Sequence, residues 1–227
     1  MVAHLSSDDL RDISYTLINM TKQKLYFFDF DGTLTSADTL ICFIRYACGT
    51  WRLLLGFALF SPLLVLMKFG LYPNYRAKQR IFAWYFRGMT AHDFDDVCQR
   101  FAADNSRLMR LKGLDKLRQV FADGETVAIV SASIDNWVAP FFDILKRESV
   151  SDFHVLGTKV EVDSNGCLTG RFLTKNCYGP EKVSRILKLH PDLAHHRANY
   201  DIVAFGDSRG DREMLNFADE AHYKPFR

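Results

Sequence analysis

At 227 residues, with 48% hydrophobic and 25% charged residues, the chain has the composition of a packed globular protein, which excludes intrinsic disorder, collagen-like sequence and a disulfide scaffold. Its 29 basic and 27 acidic residues leave a net charge of +2, too even for a nucleic-acid binder. That balance adds two unlike parts, because Ser36 through Lys112 carries eleven Lys or Arg against five Asp, a net of +6, and the rest of the chain is net −4. The five cysteines, Cys42, Cys48, Cys98, Cys167 and Cys177, are odd in number and contain no C-x-x-C pair. A reducing, cytoplasmic compartment is therefore expected, with the inner face of the membrane as a peripheral alternative.

In chain order, Met1 to Lys24 lacks an apolar core segment and reads as a polar helix capped by Ser6 or Ser7, a helical extension over residues 1–22 in place of a signal peptide. Lys24 to Asp29 is short, apolar and aromatic and breaks at Asp31-Gly32, as a buried strand ending in a loop does. Thr126 to Ser131 and Tyr200 to Gly206 repeat that pattern. Helical periodicity follows at Asp135 to Lys146, Pro180 to Leu189 and Arg209 to Phe217, and Asn165-Gly166 within Val155 to Phe172 suggests a hairpin. These elements specify an α/β fold with a buried parallel sheet, whose ligands sit beyond the carboxyl ends of the strands.

Between the first two strands lies far more chain than a crossover helix needs. The insertion reads as four helices, Ala37 to Ala47, Trp51 to Phe69, Tyr75 to Arg87 and Ala91 to Leu111, the last opening on Thr90 and Asp93 in capping-box spacing. Leu53 to Met67 holds fifteen residues without a charge, twelve of them apolar. At roughly 22 Å it is short of the roughly 30 Å hydrocarbon core, and Ser61-Pro62 would kink it, which argues against a membrane span. Two readings remain: the core of the helical insertion, with Ile81 to Phe86 packed against it, or a face for a bilayer or acyl chain, flanked by Trp51, Arg52, Lys68, Arg76, Lys78 and Arg80.

The strand ends carry the chemistry: FFDFDGTLT at Phe27 to Thr35, IVSAS at Ile129 to Ser133, GPEK at Gly179 to Lys182 and FGDSRGD at Phe205 to Asp211. Asp29 and Asp31, two apart at a strand end, can face one side, where one carboxylate can attack phosphorus and the other can protonate the leaving alkoxide. Carboxylates around a dianionic phosphate need a hard cation, and oxygen ligands select magnesium. Ser131 and the neighbouring amides can hydrogen-bond the phosphate, and Lys182 adds charge near the start of a helix. A calcium loop starting at Asp29 fails on spacing, with Leu34 and Leu40 where Gly and Glu are required. His195-His196 lacks partners at metal spacing.

Together the four segments resemble the haloacid dehalogenase superfamily of phosphohydrolases. The resemblance implies a Rossmann-like three-layer core over residues 23–36 and 113–227, with a helical cap over 37–112 like that of the phosphoserine phosphatase branch. It assigns the nucleophile to Asp29, forming an aspartyl-phosphate, and the acid and base to Asp31. It gives Mg2+ the side chain of Asp29, the backbone carbonyl of Asp31 and the side chain of Asp207, with Asp211 in support. Lys182 or Lys175 would supply the phosphate-binding lysine, and Asp38, Ala132, Ser133 and Arg76 are the expected substrate contacts. Asp38 stands where that branch carries a Glu. The expected substrate is a small anionic phosphorylated metabolite. The apolar basic cap is also loosely similar to that of bacterial phosphatidylglycerophosphate phosphatases, which implies a lipid phosphate as the alternative. A membrane-surface module with a vestigial site is the competing reading from another class, and retention of every motif residue argues against it.

Overall fold

The computed structural model describes residues 22–148 and 152–227; the expected N-terminal helix lies outside the described residues. The strands are β1 (Gln23–Phe28), β2 (Thr126–Ile134), β3 (Phe153–Thr158), β4 (Val160–Val162), β5 (Leu168–Phe172), β6 (Tyr200–Gly206) and β7 (Glu220–Tyr223). Five of them form one parallel sheet of order β3-β2-β1-β6-β7. Register sets Phe28 beside both Ile129 and Phe205, so the carboxyl ends of the three inner strands open at one edge. Side-chain alternation divides the core between the two faces: Leu25 and Phe27 pack with Ala128, Val130, Ile186 and Met214, whereas Tyr26 and Phe28 pack with Val127, Ile129 and Trp137.

The insertion forms four helices: α1 (Thr39–Cys48), α2 (Thr50–Lys68), α3 (Asn74–Phe86) and α4 (Ala91–Asp104). Asp38 caps α1 by accepting from the Leu40 amide at 3.0 Å, and Thr90 caps α4 by accepting from Asp93 at 3.1 Å. The helix expected to reach Leu111 stops at Asp104, because Asn105 leaves helical geometry and its side-chain amide donates to the Phe101 carbonyl at 2.9 Å. Phe43 locks the cap to the core by stacking on Trp137 at 4.8 Å between ring centroids and meeting Phe101 edge-on at 5.3 Å. The two chain connections of the cap run side by side, with the Ser36 amide donating to Leu108 and the Arg110 amide to Leu34.

The remaining helices are α5 (Leu111–Ala122), α6 (Asp135–Val138), α7 (Asp143–Glu148), α8 (Pro180–Leu189) and α9 (Arg212–Phe217). The single helix expected over Asp135 to Lys146 is interrupted by a tight turn at Ala139–Phe142, where Pro140 has no amide to donate. A similar short turn, Arg209–Asp211, precedes α9.

The hairpin expected over Val155 to Phe172 is smaller than its sequence signal. Phe153–Thr158 instead joins the main sheet beside β2, whose outer edge needs a partner, and among the described strands only β4 and β5 pair antiparallel. That hairpin is tied to the cap: Gly88 and Leu168 exchange backbone hydrogen bonds with the cap and hairpin chains, and the Phe172 amide donates to the Gln79 side chain.

Candidate active site

Asp29 follows β1 and donates its amide to the Phe205 carbonyl at 2.9 Å, so its position depends on β6 as well as on its own strand. The chain then makes one wide turn, Phe30–Leu34, closed by the Thr35 amide on the Phe30 carbonyl at 2.9 Å. Gly32 sits at φ 80°, and a Cβ there would lie 2.5 Å from Asp207 Oδ2. Only glycine gives both that backbone angle and the close approach between the first and last motifs.

The buried Asp29 carboxylate accepts from Lys182 Nζ at 2.6 Å on Oδ1 and from Thr33 Oγ1 at 2.9 Å on Oδ2. Lys182 comes from the first turn of α8, pointing inward because Pro180 starts the helix and Ile186 anchors it one turn later. Its ammonium also donates to the Val130 carbonyl at 2.5 Å and to Asp211 Oδ1 at 2.6 Å. Lys175 is exposed, which leaves Lys182 as the motif lysine at the carboxylates.

Asp211 spends its other oxygen on the amides of Asp207 and Ser208 at 3.2 and 2.9 Å and on the Ser208 hydroxyl at 2.8 Å. It therefore shapes the loop that presents Asp207. Asp207 pairs with Arg227. Asp31 is held from both sides: Thr39 donates through its amide at 2.7 Å and its hydroxyl at 2.6 Å to Oδ1, and Ser133 Oγ donates at 2.5 Å to Oδ2. Trp137 Nε1 in turn donates to the Thr39 hydroxyl at 3.2 Å.

Burial pushes the Asp29 carboxyl up to about 7, against the opposing pull of Lys182 and with the added repulsion of Asp211. Burial also raises Asp207, again with Asp211 contributing. For Lys182 burial disfavours the charge, but Asp29 and Asp211 outweigh it and hold the ammonium well above its ordinary value. Ligand oxygens of Asp29, Asp207 and Asp211 all lie within 4.8 Å of one another. Two carboxyls lifted by burial and by the neighbouring charge of Asp211, presented as hard oxygen donors, fit a divalent cation of the magnesium type. Asp29 and Asp207 would hold it, with Asp211 fixing the loop.

A cavity of about 640 Å³ joins these acids to the cap. One end is lined by Asp29, Asp31, Asp207 and Lys182, and the other by apolar side chains of α1, α2 and α3, among them Ile44, Phe60, Leu64 and Ile81. Of the expected substrate contacts, Asp38, Ala132 and Ser133 line this cavity. Ser131 is fully buried behind them, its hydroxyl accepting from the Ser133 amide at 3.0 Å.

Arg76 is a correction. It is exposed on α3, its Nε donates to the Tyr75 hydroxyl, and it does not line the cavity. Two residues later on the same helix, Lys78 turns inward and donates to the Ala132 carbonyl at 2.6 Å. The sequence holds Lys78 only as one charge of a basic block, and helical phase alone does not tell which cation faces the core. Thr33 and Thr39 were also missed, since both look like ordinary turn and helix-start residues.

The model of the haloacid dehalogenase-like hydrolases matches residues 26–216. Protein CicA of Caulobacter vibrioides is 31% identical over 202 residues, covering 88% of this chain and 85% of that protein. A Bordetella pertussis Tohama I protein of unknown function superposes with a TM-score of 0.72 at 18% identity, covering 86% of this chain and 87% of the other. A substrate-bound phosphoserine phosphatase superposes at 0.57 and 17%, covering 87% and 83%. The family match spans the inserted cap, all four motif segments and the sheet except β7 and the start of β1, and the chain belongs to the haloacid dehalogenase-like hydrolase family.

Proposed function

We propose that the protein is a magnesium-dependent phosphomonoester hydrolase acting through an aspartyl-phosphate on Asp29, and that its substrate is a phosphate ester of an apolar, lipid-like alcohol. The cavity carries this reading, because it continues from the paired carboxylates directly into an apolar chamber of the cap. A small polar metabolite would leave most of that chamber as water against apolar walls, whereas a hydrocarbon tail displaces it.

The carboxylate of Asp29 attacks phosphorus, the bond to the alcohol oxygen breaks, and Asp31 gives that oxygen its proton. Asp31 then takes a proton from water, whose oxygen attacks the aspartyl-phosphate, releasing inorganic phosphate and restoring Asp29. Thr39 and Ser133 hold the Asp31 carboxylate in place for both transfers. Lys182 keeps Asp29 oriented and offsets the negative charge that accumulates around it. A bound Mg2+ would supply Lewis-acid stabilisation of the phosphoryl oxygens.

Chain length provides the test. Over a series of soluble alkyl phosphates below their critical micelle concentrations, kcat/KM is expected to rise by up to about fourfold for each methylene that enters the chamber. A preference for phosphoserine or a sugar phosphate, with no trend in chain length, would reject the lipid-like substrate. Absence of hydrolysis across the panel would favour a vestigial site.

Metal binding has its own readout. Saturating MgCl2, at about 100 times its Kd, should raise the melting temperature by about 5–10 °C. Asp207→Asn should remove that shift. A shift that survives in the variant would take Asp207 out of the metal site.

A further inference from the structure

Helix α2 is apolar on every side, a pattern that globular folds ordinarily bury on every side. Among the described residues only its inner side is covered, where Leu53, Gly56, Phe60 and Leu64 line the cavity. On the outer side Trp51, Leu55, Leu59 and Leu66, spaced at helical intervals, are 85%, 60%, 56% and 42% exposed. Phe69 and Leu71 extend this patch, each 73% exposed. Exposed cations accompany it on α2 and on the neighbouring α3, Arg52 and Lys68 on the first and Arg76 and Arg80 on the second, and no Asp or Glu occurs from Thr39 to His92.

We propose that this outer face of α2 docks in the plane of an anionic lipid bilayer, with its apolar stripe at the acyl boundary and these cations at the lipid phosphates. Charge complementarity selects this occupant over a second copy of the chain, whose identical cations would be repelled. The helix runs 19 residues, longer than its uncharged stretch, and so meets the length and hydropathy of a span that the sequence argued against, but its packing holds it to the cap. A Cβ at Gly56 would lie 1.9 Å from the Tyr85 hydroxyl, and that hydroxyl donates to the Arg52 carbonyl at 3.2 Å. Surrounding α2 with lipid would pull it off α3 and open the cavity wall. An in-plane seat requires no such change, and it places the bilayer and the apolar chamber on opposite sides of one helix. The docking surface goes beyond the proposed catalytic reading and does not depend on it.

Vesicles free of any phosphomonoester separate the two. The wild-type protein is expected to co-sediment with phosphatidylglycerol/phosphatidylcholine vesicles, far less with phosphatidylcholine alone, and to release in high salt. The double variant Leu55→Glu/Leu59→Glu should lose at least about tenfold in vesicle partitioning. It should keep its melting temperature and its hydrolysis of a soluble aryl phosphate, since neither residue lines the cavity. Arg76→Gln/Arg80→Gln should weaken binding to anionic vesicles without altering the apolar stripe, and Asp29→Asn should bind vesicles like the wild type. The proposal is overturned if the wild type does not sediment with anionic vesicles. It is equally overturned if the leucine pair instead holds together a dimer that the glutamates dissociate.

Discussion

Asp29→Asn is expected to lower Mg2+-dependent hydrolysis of an aryl phosphate by at least about 10⁴-fold, measured as kcat/KM with the protein still folded. The amide is close in size to the carboxylate and can retain a hydrogen bond to Thr33, but it cannot become the acyl half of an aspartyl-phosphate. Because the other carboxylates remain, the variant separates the nucleophile from the general electrostatics of the cluster. Asp31→Asn should behave differently: the nucleophile survives, so a substrate with a good leaving group should still phosphorylate Asp29, while turnover stalls for want of a base. Full activity in Asp29→Asn would remove this residue from the reaction. The absence of any burst of alcohol release in Asp31→Asn would instead question the division of roles.

Lys182→Met carries the largest expected stability effect, a loss of about 3–5 kcal/mol. The ammonium is 1% exposed and donates to Asp29, Asp211 and the Val130 carbonyl at once. Methionine fills comparable space but leaves two buried carboxylates facing each other and a carbonyl without its donor. A fall in melting temperature of roughly 6–20 °C follows at neutral pH. Without the lysine Asp29 rises above its value of about 7, so the deficit should be largest above neutral pH, where Asp29 must ionise beside Asp211, and should shrink as pH falls and Asp29 takes up a proton. A loss below about 1 kcal/mol at neutral pH would mean that water or an ion replaces the lysine.

The catalytic half of the protein was legible because its signals are local. Apolar runs that end in Asp or small residues report buried parallel strands, and parallel strands place their ligands at one edge whatever their order in the sequence. Phe28, Ile129 and Phe205 share that register, so Asp29, Ser131 and Asp207 had to gather near it. The choice between Lys182 and Lys175 was open in the sequence because the two lie seven residues apart in a turn-rich segment. Packing sets Lys182 at the carboxylates, because α8 drives it into the core, while Lys175 stays outside.

The cap was harder to read, for a physical reason. The apolar stretch of α2 carries no amphipathic signal, so periodicity cannot tell which side faces inward. Of its two sequence readings, a fully buried cap core does not hold, because one side of the helix is exposed, and a face for a bilayer stands as the proposal above. The exchange of Arg76 for Lys78 as the inward cation has a related origin. Both lie on α3, and the face that α3 turns toward Ala132 depends on helices and on a hairpin far away in sequence.

By itself, then, the sequence determined the parallel core, the acidic strand ends, the inserted helices and the division of charge, because strand burial, turn chemistry and capping act over a few residues. The tertiary structure alone decided that β3 joins the sheet, that β4 and β5 brace the cap, and that the acids open into an apolar chamber. It also decided that one apolar helix faces that chamber on one side and solvent on the other. Those outcomes depend on which distant surfaces meet, and hydrophobic burial, being non-directional, leaves that choice to the packing of the whole chain.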